Sequence, residues 1–491
     1  VSCVIALREN ARLTKAGLAH TGVRAGSGDA ATCDDYFDFW RPSMSDDNAK
    51  PGDTSGSQSL LARLLGRTTQ IDRKEMPAVV ASFLLIFCVM CGYFAVRSVR
   101  ETAGTFLGKE RVANLFLITW LASLAIVPAY GWVVARFRRS RFLPIIYGLV
   151  AASLAIVGFM LSTDPHNVFV MEFFYVMISV LNLFMLSVFW GFLLEIFAKE
   201  QTKRLFGVIA AGGSAGALVG PWLTTATVTR IGNPGILYLG ASLFVVAIVC
   251  QRALLTVWHR SQQTHEVEVG NDKPVGGNPL IDGARLLFTS PYLLGIAIFV
   301  ILLSSVSTFL YFEQLRIVSE TFKDSAQRTQ VFAVMDAIVQ TATLLLQLFV
   351  TGRIATRLGI TTLLVIVPFA MIFGFLGLAA VGNFAMLAFV FCARRIGEYA
   401  FVRPGREMLF STLSTEDRYR VKHVIDVPVY RGGDALSSQV DSFLGHAGLS
   451  PAKVAIVGSG LAALWMLNAW WLGRRHDNEE VARAAQAVPG H

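Results

Sequence analysis

The chain has 491 residues, 54% of them hydrophobic and only 16% charged, with a mean hydropathy of +0.54. Soluble domains carry roughly 25% charged residues, so this balance excludes an ordinary soluble enzyme or binding domain and points to a polytopic membrane protein. The net charge of +9 would suggest nucleic acid in a soluble chain, but Lys and Arg gathered in alternate loops follow the positive-inside rule, and no nucleic-acid partner is expected.

Residues 1–75 are rich in Gly, Ser, Asp and Arg and contain no apolar run of the signal-peptide type. They read as a polar, disordered cytoplasmic tail. Met44 opens MSDDNAKPGDTSGSQ, so residues 1–43 are expected to be a mis-called upstream start or dispensable.

From Pro77 the chain is a succession of spans, each near the roughly 20 residues that cross a bilayer. They are 77–99, 112–135, 142–162, 168–194, 205–228 and 235–256, then 291–312, 329–351, 361–381, 384–403, 423–444 and 451–472. The expected fold is an all-α integral membrane protein with twelve transmembrane helices in two six-helix repeats. A first bundle covers 76–256, a cytoplasmic linker 257–290, a second bundle 291–473 and a cytoplasmic tail 474–491.

Loop charges orient the spans. Arg136, Arg138, Arg139 and Arg141 lie between spans 2 and 3; Lys199, Lys203 and Arg204 between 4 and 5. Arg353 and Arg357 follow span 8, and Arg418, Arg420 and Lys422 follow span 10, whereas STDPHN and VGN in the opposite loops have neither Lys nor Arg. Both termini and the linker are therefore expected in the cytoplasm. The halves also echo each other. GWVVARF at Gly131 matches GRIATRL at Gly352, EQTKRLFGVI from Glu200 matches EDRYRVKHVI from Glu416, and Tyr93-Phe94 matches Tyr311-Phe312. Carriers built from such repeats place the substrate site between them near mid-membrane.

Charge inside the spans marks the candidate site, because a lone mid-bilayer charge costs at least about 2.5–3.5 kcal/mol. In span 10, Arg394 and Glu398 are four apart, and Arg403 at its end lies four before Glu407; in span 11, Arg431 lies three before Asp434. These are same-face separations. Arg394 and Arg395 are expected to attract an anion, with Glu398, Asp336 and Asp426 balancing charge or carrying a coupling proton. Span 1 ends with Tyr93, Arg97 and Glu101 at successive steps of four, Arg100 beside them, and reads as an external mouth. Span 8 carries Asp336, Gln340, Thr343 and Gln347 as one polar stripe. Asp426, Tyr430 and Asp434 share a face of span 11, and the RPGRE and TEDRYR segments, with Arg403, Arg406, Glu407 and Arg431, read as gating elements. Arg136 is the gating candidate between spans 2 and 3. Cys88 and Cys91 form a CxxC inside an apolar run and read as small apolar residues; the eight His show no ligand spacing. No metal or cofactor is expected, and no nucleophile–base pair suggests an enzyme.

Gly131 to Arg141 resembles the loop 2–3 signature of the major facilitator superfamily, with Ala135 in place of its Asp and Arg138 in place of its second Gly. Gly216-Ala-Leu-Val-Gly220-Pro221 resembles the first half of the exchanger motif in helix 5. YFAVRSVRETAG, WGFLLEIFAKEQTKRLFGVIAAGGSAGALVGP, SPYLL and RRIGEYAFVRPGREMLFSTLSTEDRYRVKHVIDVPVYRGGD together resemble the bacterial branch of the nucleotide-exchange transporters, relatives of ATP/ADP translocases. The resemblance implies a monomeric carrier of the bacterial inner membrane that exchanges nucleotides or another anionic metabolite. Its members carry lysines within membrane helices, whereas every lysine here falls in a loop or at a helix end. Two other readings stand beside it: a proton-coupled carrier of a non-nucleotide solute, and a non-transporting scaffold or sensor whose buried ion pairs serve packing.

Overall fold

Three glycines set the turns of this chain. A computed structural model describes residues 75–136, 139–197, 199–261 and 279–487. Within it the helical stretch Met76–Arg136 breaks at Gly108 (φ 78°, ψ 167°) into α1 (76–107) and α2 (109–136). Lys199–Ser261 breaks likewise at Gly232 (φ 67°) into α5 (199–231) and α6 (233–261), and Gly359 (φ 76°) separates α8 (325–358) from α9 (360–381). A side chain at these positions would meet the left-handed region that glycine alone enters cheaply, so each antiparallel turn is a single residue long.

The other helices are α3 (Arg139–Thr163), α4 (Val168–Ile196), α7 (Pro291–Thr321), α10 (384–412), α11 (415–446) and α12 (Pro451–Ala487). Side-chain caps start several of them. Asn167, Asp324 and Asn383 accept the amides of Val170, Gln327 and Met386, and Ser414 that of Asp417; each satisfies an otherwise orphaned donor of the first turn. Among the described residues there are twelve long helices and no strand, the expected all-α membrane fold. The proposed tail at 1–75 lies outside the described residues but for its last residue. Much of the linker does too, although Pro279–Thr289 is a short helix, and α12 continues through Ala487 rather than ending near 473.

Eight stretches are long and apolar enough to cross a membrane. Two of these, Met76–Ile126 and Arg204–Trp258, contain the breaks at Gly108 and Gly232 and so hold two helices each. The helices outside this apolar set are α10 and α11, which carry the Arg and Glu residues. Both also contain a wide π turn, Glu398–Val402 and Ile425–Val429, and α8 has a third at Gln347–Thr351. Pro404 follows the first and Pro428 sits in the second. A proline has no amide to give its i−4 carbonyl and clashes with it; widening the turn relieves both problems.

The described residues form one compact unit. Helices α1 and α2 pack on α5 and α6; α7 packs on α11 and α12, and α9 on α12. Between the first six helices and the last six, α5 and α6 meet α8, while α1 and α2 meet α11. The α1–α5 contact is close. A Cβ on Gly212 would lie 2.6 Å from the Phe83 carbonyl, and Cβ atoms on Gly216 and Gly220 would collide with the carbonyls of Phe87 and Cys91.

Candidate functional site

The charged residues converge at one depth. Arg97 lies ten residues before the end of α1, while Asp336, Arg395 and Ser179 each lie eleven residues after the start of α8, α10 and α4. At 1.5 Å per residue these positions are about 15 Å from a common end, half the roughly 30 Å hydrocarbon core. Glu101, Asp336, Arg394, Arg395, Glu398 and Asp434 are all buried.

Asp336 sits between two arginines from different halves of the chain. Arg395 of α10 donates to one carboxylate oxygen, and Arg97 of α1 lies 3.8 Å from the other. Arg97 continues to Glu101 at 3.6 Å, and Arg100 donates to the same Glu101 oxygen. Arg100 also donates to Ser179 Oγ at 3.2 Å and lies 5.2 Å over the Tyr175 ring. Tyr175 then shares a 2.8 Å hydroxyl–hydroxyl hydrogen bond with Tyr311 of α7. The span-1 arginines are therefore joined to the central cluster, not set apart at a mouth.

A second cluster is built on Glu398. Arg394 donates to one of its oxygens at 2.9 Å, and Arg403 donates twice to the other at 3.2 Å. Arg394 also donates to Ser307 of α7 at 2.6 Å. Tyr399 lies between the two clusters. Its ring is 5.7 Å from the Arg395 guanidinium and 4.3 Å from that of Arg403.

The expected Arg403–Glu407 pair does not form. Through the π turn the Arg403 amide bonds the Glu398 carbonyl five residues back, and the side chain follows it to Glu398. Glu407 instead takes Lys422 at 2.5 Å and Arg406 at 3.7 Å, while Arg406 reaches Asp426 at 3.1 Å. These contacts tie α10 to α11 within the second half. Arg431 pairs with Asp434 at 3.5 Å, as its spacing suggests, and donates at 3.5 Å to the Ser179 carbonyl. Asp434 also accepts from Thr308 at 3.4 Å. The π turn at 425–429 sends Asp426 to α10 and Asp434 to α7, so they do not act from one shared face.

Gln340 and Tyr430 are half-buried, and their side chains make no hydrogen bond among the described residues. Gln347 donates to the Tyr399 carbonyl at 3.0 Å. Arg136 ends α2, and its side chain lies outside the described residues. RPGRE and TEDRYR, read as gating turns, are helical.

Sequence reasoning overlooked Ser307 and gave Tyr175 and Tyr399 no role. Tyr311 stands out in the sequence only as part of a repeat, and Ser179 not at all. Their signal was weak, since a single Ser or Tyr in an apolar helix is ordinary until an arginine is found beside it. No group of three or more potential metal ligands occurs among the described residues.

Solved structures with this architecture include the nucleoside transporter NupG, with a TM-score of 0.58 and 16% identity over 82% of this chain and 99% of its own. A bacterial homologue of the iron transporter ferroportin, in an inward-facing state, gives 0.56 and 14% over 84% and 100%. An auto-inhibited POT family peptide transporter gives 0.53 and 15% over 80% and 96%. At these identities the likeness is one of fold. Comparison with curated proteins gives no match. The sequence profile of the Major Facilitator Superfamily matches residues 60–411, well over half of the sequence, and the chain belongs to that superfamily of membrane transporters.

Proposed function

We propose that this transporter is a secondary carrier of the bacterial inner membrane that moves an anionic small molecule by alternating access. In this reading the bundles 76–256 and 291–473 rock about the arginine cluster, with both termini in the cytoplasm. The observation that carries it is the excess of buried and half-buried arginine at the junction of the two halves. Arg97 and Arg100 come from α1 and Arg394 and Arg395 from α10, and Asp336 of α8 bridges Arg97 to Arg395. Arginine presents a planar fork to carboxylate or phosphate, and a dry site strengthens that contact. Arg403, Arg406, Glu407, Asp426, Arg431 and Arg136 act as gating or coupling groups in the same reading.

Nucleotide exchange is the finer form of the proposal. It is supported by the sequence blocks around Tyr93, Trp190 and Arg394–Asp434. Counterflow in proteoliposomes loaded with ATP, ADP, other phosphorylated metabolites or amino acids tests it, and no exchange of any nucleotide removes that form. For the site itself, Arg394→Ala is expected to cut uptake at least about a hundredfold without loss of membrane insertion. That is the scale of deleting one hydrogen bond to a buried charged group. Normal transport by that variant would exclude Arg394.

One observation favours proton coupling as a second reading. Asp434 is buried, yet its polar contacts are all 3.4 Å or longer, a loose set of partners for a buried carboxylate. Uptake driven by a proton gradient without internal counter-substrate would select this reading over exchange.

A further inference from the structure

The described charges of the centre resolve into separate sets that do not all balance. The first set contains Arg97, Arg100 and Arg395 with the carboxylates Glu101 and Asp336. It carries one uncompensated positive charge. The second contains Arg394 and Arg403 with Glu398 alone, and it too has one positive charge in excess. Arg431 and Asp434 cancel. Two sets farther out also close to neutrality: Arg406 and Lys422 face Glu407 and Asp426, and Lys109 faces Asp441 at 2.6 Å.

The two unbalanced sets are neighbours. Arg395 and Arg403 lie 5.7 Å and 4.3 Å from the Tyr399 ring centre, so their guanidiniums are no more than about 10 Å apart. The second excess is hydrated in this conformation, because the Arg403 side chain is half exposed. Occlusion during transport removes that water, and two unmatched charges in a low-dielectric site are costly unless the cargo supplies the counter-charge.

We infer that the cargo is a small dianion whose charge neutralises the two arginine excesses, one beside Asp336 and the other at Glu398. This rests on the reading of the site as an anion carrier and narrows it away from ATP and ADP, whose negative charge exceeds the two excesses: a phosphomonoester or a dicarboxylate matches the count, whereas a monoanion leaves one charge and a trianion exceeds it. Glu398 becomes a valence-setting residue. It holds Arg394 and Arg403 in place and subtracts one charge from what the cargo must bring.

The test uses the purified full chain in detergent at pH 7.5 and matched ionic strength, with affinities read from ligand-induced shifts of the thermal unfolding midpoint. The probes are butyrate, succinate, tricarballylate, glycerol 3-phosphate, ADP and ATP. Succinate or glycerol 3-phosphate is expected to bind at least about tenfold more tightly than butyrate or tricarballylate, the worth of one charge-assisted contact. Which of the two binds separates carboxyl from phosphoryl recognition. Arg403→Gln, which removes one positive charge, should erase the advantage of dianion over monoanion. Glu398→Gln, which adds one, should move the preference to the trianion. A wild-type preference for monoanion, trianion or nucleotide polyphosphate, or an Arg403→Gln protein with unchanged valence preference, overturns the dianion and leaves the anion carrier standing. Binding of no anion of any valence, together with no counterflow of any of them, overturns the carrier reading itself.

Discussion

Within the central cluster, Asp336 forms the ionic link between the two halves of the chain. It is buried between Arg395 and Arg97, and removing its charge leaves two guanidiniums facing a neutral amide. Breaking a buried pair from one side costs about 3–5 kcal/mol, whereas replacing both partners with apolar groups is often close to neutral. Asp336→Asn is therefore expected to lower the unfolding midpoint in detergent and abolish uptake. The double variant Asp336→Leu with Arg395→Leu should recover much of that stability and none of the transport. Recovery of transport would mean that the pair serves packing alone. The Arg394–Glu398 pair was legible in the sequence because a spacing of four is one turn of a regular helix. Arg97–Asp336 was not. Its partners lie far apart along the chain, and only the meeting of α1 with α8 brings them together.

At the scale of the helix, regularity is what the sequence communicates and irregularity is what it hides. Arg403 and Glu407 carry the spacing of an ion pair, yet the π turn over Glu398–Val402 turns Arg403 back to Glu398. The π turn of α11 likewise projects the Pro428 carbonyl toward α2, where Trp120 donates to it at 3.2 Å. The glycines of α5 show the same division. Their spacing of four suits a close-packed face, but the chain alone does not say that the face meets the carbonyls of α1. A methyl group at Gly216 would press on the Phe87 carbonyl and the Cys91 amide, backbone atoms with no easy way to yield. Gly216→Ala is expected to lose about 1–3 kcal/mol by overpacking. At Gly207 of the same helix a Cβ meets nothing within 4 Å, so Gly207→Ala should gain up to about 1 kcal/mol from helix propensity. Unfolding of the two variants in parallel separates contact with α1 from any general effect of altering glycines in α5.

At the scale of the whole molecule, the twelve-helix order was readable because each crossing needs its own long apolar run, and even charged α10 and α11 kept the length. How the halves meet was not readable, since it depends on many weak contacts between distant segments. The described polar contacts between them fall from the central cluster toward the end where α1 turns into α2. Thr102 and Thr329 hydroxyls lie 2.6 Å apart, and Thr329 also donates to Asn233 at 2.7 Å. Arg328 reaches Thr105 at 3.0 Å, and Ser438 and Gln439 both donate to the Ala113 carbonyl. The neutral hydrogen bonds among these contribute about 0.5–1.5 kcal/mol each and the Arg328 bond somewhat more, and with the Lys109–Asp441 pair they hold this end shut while leaving it for a bound cargo to release. If the halves rock, Thr102 and Thr329 must separate in every cycle. Thr102→Cys with Thr329→Cys, in a chain whose other cysteines are replaced by serine or alanine, places two thiols where the hydroxyls now touch. Oxidation should then form the disulfide readily, stop uptake, and leave the protein folded by its unfolding midpoint; reduction should restore uptake. A cross-linked carrier that transports at the uncross-linked rate would show that this end never opens, and the cargo would then have to leave by a route that does not part α1 from α8.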